Sequence, residues 1–382
     1  MAIVPLPLTS QLSNGTTADA SQVMADLNAI ANAVNTYGAS QTDLTSATTT
    51  LSSQVATNLS ARTGDAGSVS IRNYLINGGA GVAQKTATVT LTTSAKYGQV
   101  DQCAMWASGG SVSAGTLTQN TSATVGRTGN AARAAGVTLT GSGQISWRYR
   151  VESVDAVNLK NQSGSFQIMV MHDVGISVNY TIIIRKPTAS DNYASTTVIS
   201  TSSAIPVASG TATQLTAPGI SLGDVSNGIE IEIQAACGAI TTKNFDFTEW
   251  QLEEGDNCTT FVRRLYEEEL RNCRRYLPTY VAGGSSEAVC AGQAISTTSS
   301  IAWFPFEVEP RIIPTGITTT GAFSVLNSAG GFITATNMAF SSSSTGKKAG
   351  GITVTVASGL TGGNAAGLYS TTGTILFTGC QL

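Results

Sequence analysis

Charge is scarce in this chain: Asp, Glu, Lys and Arg make up 11% of its 382 residues, against about a quarter of an average soluble protein. The 20 basic and 23 acidic residues give a formal net charge of −3, which excludes a protein that binds nucleic acid by neutralising its phosphates. Histidine occurs once, at His172, so a serine or cysteine triad has nowhere else to find its base. No apolar run approaches the ~18 residues of a membrane helix. The opening MAIVPLPLTSQLSNG lacks a basic segment followed by an apolar one, so no secretory signal is expected. The cysteines, Cys103, Cys237, Cys258, Cys273, Cys290 and Cys380, form neither a CxxC pair nor a zinc-type spacing, and free, mostly core-packed thiols are expected. No Walker loop, calcium loop or fixed-length β-helix repeat is present.

Apolar residues nevertheless reach 41%, enough for real cores and too many for a disordered chain. Residues 1–19, with Pro5 and Pro7, show no periodicity and read as a segment laid along a partner. From Val23 a heptad runs through Val23, Leu27, Ile30, Val34, Tyr37, Gln41, Leu44, Thr48, Leu51, Val55 and Asn58. That 3.5-residue period drives helices to supercoil, and its mixed a and d residues are compatible with a trimer. A helix so rich in Ser and Thr is marginal alone. A coiled coil over 20–62 is therefore expected, with Val23, Leu27, Ile30, Val34, Leu44, Leu51 and Val55 as its trimer interface.

After a linker at 62–72, residues 73–261 alternate with period two. Ile145/Trp147/Tyr149/Val151, Phe166/Ile168/Val170, Tyr180/Ile182/Ile184, Ile229/Ile231/Ile233 and Phe245/Phe247 each mark the apolar face of a strand. Strands bunched this way, with no helices between them, predict an antiparallel β-sandwich rather than βαβ units. Residues 262–277, VRRLYEEELRNCRRYL, predict a connecting helix with Leu265, Glu269, Cys273 and Leu277 on one face, a Glu267–Arg271 pair and a salt-bridged surface. Residues 281–382 predict a second sandwich, with Gly/Ser-rich loops at 341–351 and 358–367. TGKKAGG in the first of these loops reads as a hairpin turn. The fold class expected is thus mainly β, a coiled coil followed by two jelly-roll-like sandwiches joined by a short helix.

Candidate chemistry is thin. His172 sits at a strand end and reads as a turn or surface residue. Glu230/Glu232, Asp246/Glu249 and Glu307/Glu309 have the strand spacing that a glycosidase carboxylate pair would need, but the same spacing is usual on any solvated sandwich face. Trp147 and Trp250 read as core, and Trp106 as a partly exposed ring before a turn. No cofactor, metal or catalytic residue is expected.

Two stretches resemble a known family. RNYLINGGAGVAQK at 72–85, followed by YGQVDQCAMW at 97–106, resembles the opening of the jelly-roll, carbohydrate-binding-module-like domain of bacteriophage tail fibres through Asn77, Gly78, Gln84, Tyr97 and Asp101; Cys103 stands where an aromatic is common. FTEWQLEEGDNCTTFVRRLYEEELRNCRRYL is similar to that family's closing strand and helix through Gln251, Leu252, Glu253, Gly255, Phe261, Leu270, Cys273, Arg275 and Tyr276. The start of the chain also looks like a virion-attachment segment. The resemblance implies a non-enzymatic, homotrimeric receptor-binding fibre, assembled in the host cytoplasm into the virion. It would dock on a tail or baseplate protein through residues 1–19, with the β domains binding a host-surface glycan or outer-membrane component and no nucleic acid. A purely structural head, collar or baseplate fibre, or a polysaccharide-depolymerising tailspike, are the alternatives.

Overall fold

The computed structural model describes residues 73–284 and 286–382, with helical positions at 25, 27–29, 31–32, 49–50 and 52–53. Of the seven expected trimer-interface residues only Leu27 lies among them, helical and 53% exposed. Val23, Ile30, Val34, Leu44, Leu51 and Val55, and the attachment segment 1–19, lie outside the described residues.

The sandwich is built from β1 (Val89–Thr90), β2 (Lys96–Tyr97), β3 (Cys103–Ser108), β4 (Val112–Asn120), β5 (Ala131–Leu139), β6 (Gln144–Val151), β7 (Ser163–His172), β8 (Val178–Ala189), β9 (Asn192–Thr201), β10 (Ile205–Val207), β11 (Thr213–Ser221), β12 (Ile229–Ala236) and β13 (Ile240–Glu254). One sheet runs β1-β4-β5-β13-β7-β11; the other runs β10-β8-β12-β6-β3-β2, with β9 on β8. Every pairing is antiparallel, and a single helical turn, α1 (Ser153–Ala156), follows β6. Alternation places Trp147, Trp250, Phe166, Phe245, Phe247 and Tyr180 between the sheets, all fully buried, with the two indoles 5.2 Å apart. Each such side chain contributes roughly 1.5–3 kcal/mol by leaving water. Cys103 fills the place of the missing aromatic as a buried core residue.

The other faces of these strands are not simply solvated. Register sets Glu230 opposite Arg150 and Arg185, and Glu232 opposite Arg148. Glu230 lies 2.8 Å from Arg150, 3.6 Å from Arg185 and 3.8 Å from Arg148, and Glu232 lies 2.5 Å from Arg185. Both carboxylates are buried. Charges directly opposite across strands stabilise a sheet, and here they link the outer faces of the neighbouring strands β8, β12 and β6.

The connecting helix α2 spans Tyr266–Arg274, shorter than the expected 262–277. Leu265 is its extended N-cap and is 80% exposed, so it leaves the face it was assigned to. The chain before it is held extended because Arg264 spends its guanidinium on the carbonyls of Asn73 and Leu75. Arg264 also meets Glu268 and Glu269, while Arg275 grips Glu152 at 2.9 Å and Arg274 pairs with Glu307. The expected Glu267–Arg271 pair is not formed among the described residues; Glu268, Glu269 and Arg274 of the helix pair with Arg264 and Glu307 instead.

β14 (Thr279–Val281), β15 (Glu287–Ala294), β16 (Ser299–Pro305), β17 (Gly316–Thr320), β18 (Phe323–Leu326), β19 (Phe332–Ser341), β20 (Ala349–Val356), β21 (Ala365–Ser370) and β22 (Thr374–Thr378) follow. The expected second sandwich is instead a closed barrel, β15-β16-β20-β19-β18-β21, beside a three-stranded sheet, β14-β22-β17. Closure removes the open edges that an isolated sheet would leave. Lys347 and Lys348 stand in the β19–β20 connection and pair with Glu309. From residue 288 to the end the only charged side chains are Glu307, Glu309, Arg311, Lys347 and Lys348. Arg311 binds the carbonyls of Cys380 and Gln381, and Tyr97 of the sandwich donates to the carbonyl of Leu382. The last residues are thereby tied back to the sandwich.

Candidate functional site

The structure consumes the residues that sequence singled out for catalysis. His172 is buried rather than at the surface, between Tyr180 and Phe245 at 6.0 and 5.9 Å. Its Nε2 lies 3.1 Å from the Val207 carbonyl, and its Nδ1 accepts from the Val174 N–H. Burial lowers its pKa against the opposing pull of that carbonyl, so it is a neutral core residue. Glu230 and Glu232 belong to the arginine lattice. Asp246 takes a fork from Arg133 at 2.8 and 2.6 Å. Glu307 and Glu309 are bound by Arg274 and by Lys347 and Lys348. The guanidinium of Arg148 covers Trp106 at 5.2 Å, which removes that ring as a free platform. Trp303 is 41% exposed on the barrel wall. All six cysteines are free; Cys103, Cys237, Cys273 and Cys380 are buried, Cys258 and Cys290 half-buried. Among the described residues no three His, Cys, Asp or Glu gather as metal ligands.

Glu249 is different. The register of β13 against β7 shifts between Thr248 and Gln251, and inside that bulge Glu249 has φ +51°. Left-handed backbone is costly for a residue with a side chain, and a bulge re-aims the residue it carries. The Glu249 carboxylate lines a cleft of about 310 Å³ on the outer face of the first sheet, with Arg127, Gln167, Met169, Gln214 and Phe261 around it.

Each wall has a local cause. Gln167 and Met169 point outward from β7 by the same alternation that buries Phe166, Ile168 and Val170. Gln214, on the neighbouring β11, donates its amide to Gln167 Oε1 at 2.7 Å. The 121–130 loop folds over the sheet because Ala123 and Val125 bury themselves against Met169 and Met171. Gly126 and Gly129, both with positive φ, allow it to turn. The loop is pinned by Thr128 Oγ1 to Thr248 Oγ1 at 3.2 Å and by the Arg127 N–H to Glu249 Oε1 at 2.5 Å. On the opposite side Glu253 accepts from the Thr259 N–H and hydroxyl at 2.6 Å, which fixes the turn before Phe261.

What is left over defines the chemistry. The Gln167 NH2, the Gln214 amide oxygen, Glu249 Oε2 and the Arg127 guanidinium have no protein partner among the described residues and are open to solvent in the cleft. Donors and acceptors therefore alternate around an apolar Met169, with one charge of each sign. Such a set suits a hydroxyl-rich, uncharged ring better than an ion or an apolar ligand. Sequence reading missed Gln167, Gln214 and Arg127 as site residues. It assigned glycan binding to the β domains without naming residues, and this cleft lies on the first of them.

No protein-family model matches the chain, and no curated protein does. Among solved structures it is similar to TmCBM61 in complex with β-1,4-galactotriose, at 12% identity over 48% of this chain and 99% of that one, TM-score 0.28. It is also similar to the CBM22-1 xylan-binding domain of Paenibacillus barcinonensis Xyn10C, at 12% identity over 40% and 87%, TM-score 0.28, and to a CBM4 domain at 10% over 47% and 97%, TM-score 0.27. Likeness of that degree carries no argument about ligand or activity.

Proposed function

We propose that the chain is a non-enzymatic, homotrimeric fibre subunit of a bacteriophage particle that holds a host-surface glycan in the cleft around Glu249. The observation that carries the binding part is the set of unused amide and carboxylate atoms around Met169, on a sandwich that satisfies most of its other polar groups internally. A sugar ring brings adjacent hydroxyls that each donate and accept, which is what Gln167, Gln214 and Glu249 leave unmet. The non-enzymatic reading is supported by the engagement of Glu230, Glu232, Asp246, Glu307 and Glu309 in ion pairs, which leaves Glu249 as the one carboxylate lining its cleft. Self-association is supported by the helical, exposed Leu27 within a heptad and by a barrel nearly free of charge, whose surface meets a copy of itself without repulsion. Three weak sites on one particle gain avidity.

The test is calorimetric titration of the full chain with surface polysaccharide from a host strain, beside Gln214→Ala. Binding that Gln214→Ala weakens at least tenfold, with no new reducing ends released from the polymer, supports the reading. Absence of binding, or release of reducing ends, overturns it.

A further inference from the structure

A second cleft, of about 180 Å³, adjoins the first and shares Phe261 with it as a wall. It is lined by Gly81, Asn130, Arg263, Arg264, Tyr266 and Glu269. Two features set it apart. At Gly81 it opens to free space, since a Cβ there would meet nothing within 4 Å. Its outer wall carries Tyr266, 58% exposed, beside Arg263, whose guanidinium has no hydrogen bond or ion pair among the described residues.

That lack of a partner is uncommon here. Arg133, Arg148, Arg150, Arg185, Arg264, Arg274, Arg275 and Arg311 all engage a carboxylate. Arg127, Arg263 and Arg271 do not, and Arg127 and Arg263 line the two clefts. The local charge favours an anion only in the second. Among the residues that line it, Arg263 and Arg264 stand against one carboxylate, Glu269, which meets Arg264 at 3.5 Å and the Asn77 N–H at 2.7 Å. Glu268, which Arg264 also reaches at 3.8 Å, is exposed outside the lining, so Arg263 is the lining's one cation without a carboxylate partner. In the first cleft Arg127 and Glu249 offset each other.

We infer that the ligand is an acidic saccharide, with a neutral sugar in the Glu249 cleft and the carboxylate of a neighbouring uronic or sialic acid residue taken by Arg263, its ring lying against Tyr266. A guanidinium fork matches a carboxylate bidentately and adds selectivity as well as affinity. An aromatic face beside it supplies stacking area at little entropic cost. Phe261 borders both clefts, so consecutive sugars of one chain would cross it to occupy both. This inference rests on the glycan-binding reading of the first cleft.

The experiment is an array of bacterial surface polysaccharides probed with the full chain. Uronate- and sialate-containing polymers are printed as such and again after reduction of their carboxyl groups. Arg263→Gln and Gln214→Ala are run beside the natural sequence. We expect signals on acidic polymers to fall at least tenfold after reduction, Arg263→Gln to erase that preference while keeping the signal on reduced polymers, and Gln214→Ala to weaken both. Because Arg263 holds nothing else in the fold, its variant should melt at the natural temperature. Binding that depends on Gln214 but ignores carboxyl reduction, or a preference that survives Arg263→Gln, overturns the acidic ligand and leaves the glycan site standing. No binding to any polymer overturns both.

Discussion

Asn77 has φ +57° and makes five hydrogen bonds, one of them from the Ala80 N–H to its carbonyl. It donates to the carbonyls of Val82 and Asp101, accepts from the Val82 N–H, and its own N–H meets Glu269 of α2. Asparagine tolerates left-handed backbone better than most residues, which explains why this position reads as part of a motif. Gly78 follows because a Cβ there would stand 2.5 Å from the Trp250 carbonyl oxygen. Gly78→Ala is therefore expected to cost about 1–3 kcal/mol by overpacking, read as a lower urea midpoint; an unchanged midpoint would mean the loop relaxes freely. Gln84 binds both Asp101 and the Leu277 carbonyl, and Tyr276 and Arg275 both bind Glu152. These motif residues thus build the joint between sandwich and helix, while Phe261 of the same motif borders both clefts. Burial raises the Asp101 carboxyl from 3.8 to about 7, against the opposing effects of Gln84 and Lys85. The folded chain keeps a proton that the unfolded chain has released, so this residue's contribution to stability is full below the unfolded value and is lost as pH rises through about 7. Asp101→Asn should flatten the decline between pH 4 and pH 8 in denaturant midpoints; parallel curves for the two proteins would contradict that.

At the scale of elements, β6, β7, β8 and β12 were legible in the sequence because each sets three or four apolar residues at alternate positions, and β13 only through Phe245 and Phe247 before its bulge. What the alternation does not contain is register. That Glu230 meets three arginines depends on β12 lying between β6 and β8, a long-range choice with no local signature. Removing one partner of a buried ion pair leaves its neighbours uncompensated. Glu230→Gln should accordingly cost about 3–5 kcal/mol, whereas a surface pair would cost little; a loss below about 1 kcal/mol would show the lattice to be solvated. The cleft was illegible for the same reason. Gln167, Gln214 and Glu249 come from three strands, and Glu249 faces the cleft only because β13 bulges there. The helix start was misplaced because the pattern at 262–265 is helical in period, while Arg264 is held by the carbonyls of Asn73 and Leu75.

At the scale of the whole molecule, charge is distributed unevenly. The sandwich and α2 carry lattices of ion pairs, while the barrel is almost bare. In an isolated protein a surface with so little charge favours association. Closure of the second body into a barrel was not foreseen, since isolated short strands look alike whether they face another sheet or curl on themselves. The heptad is a pattern of the sequence, and of its expected interface only Leu27 lies among the described residues; a coil of such poor helix formers is expected to hold only with partner chains. The most direct measurement is the solution mass of the full chain by light scattering across a wide concentration range. A mass near three times the 39.1 kDa of one chain is the predicted result. A monomer at every concentration would contradict the trimeric fibre.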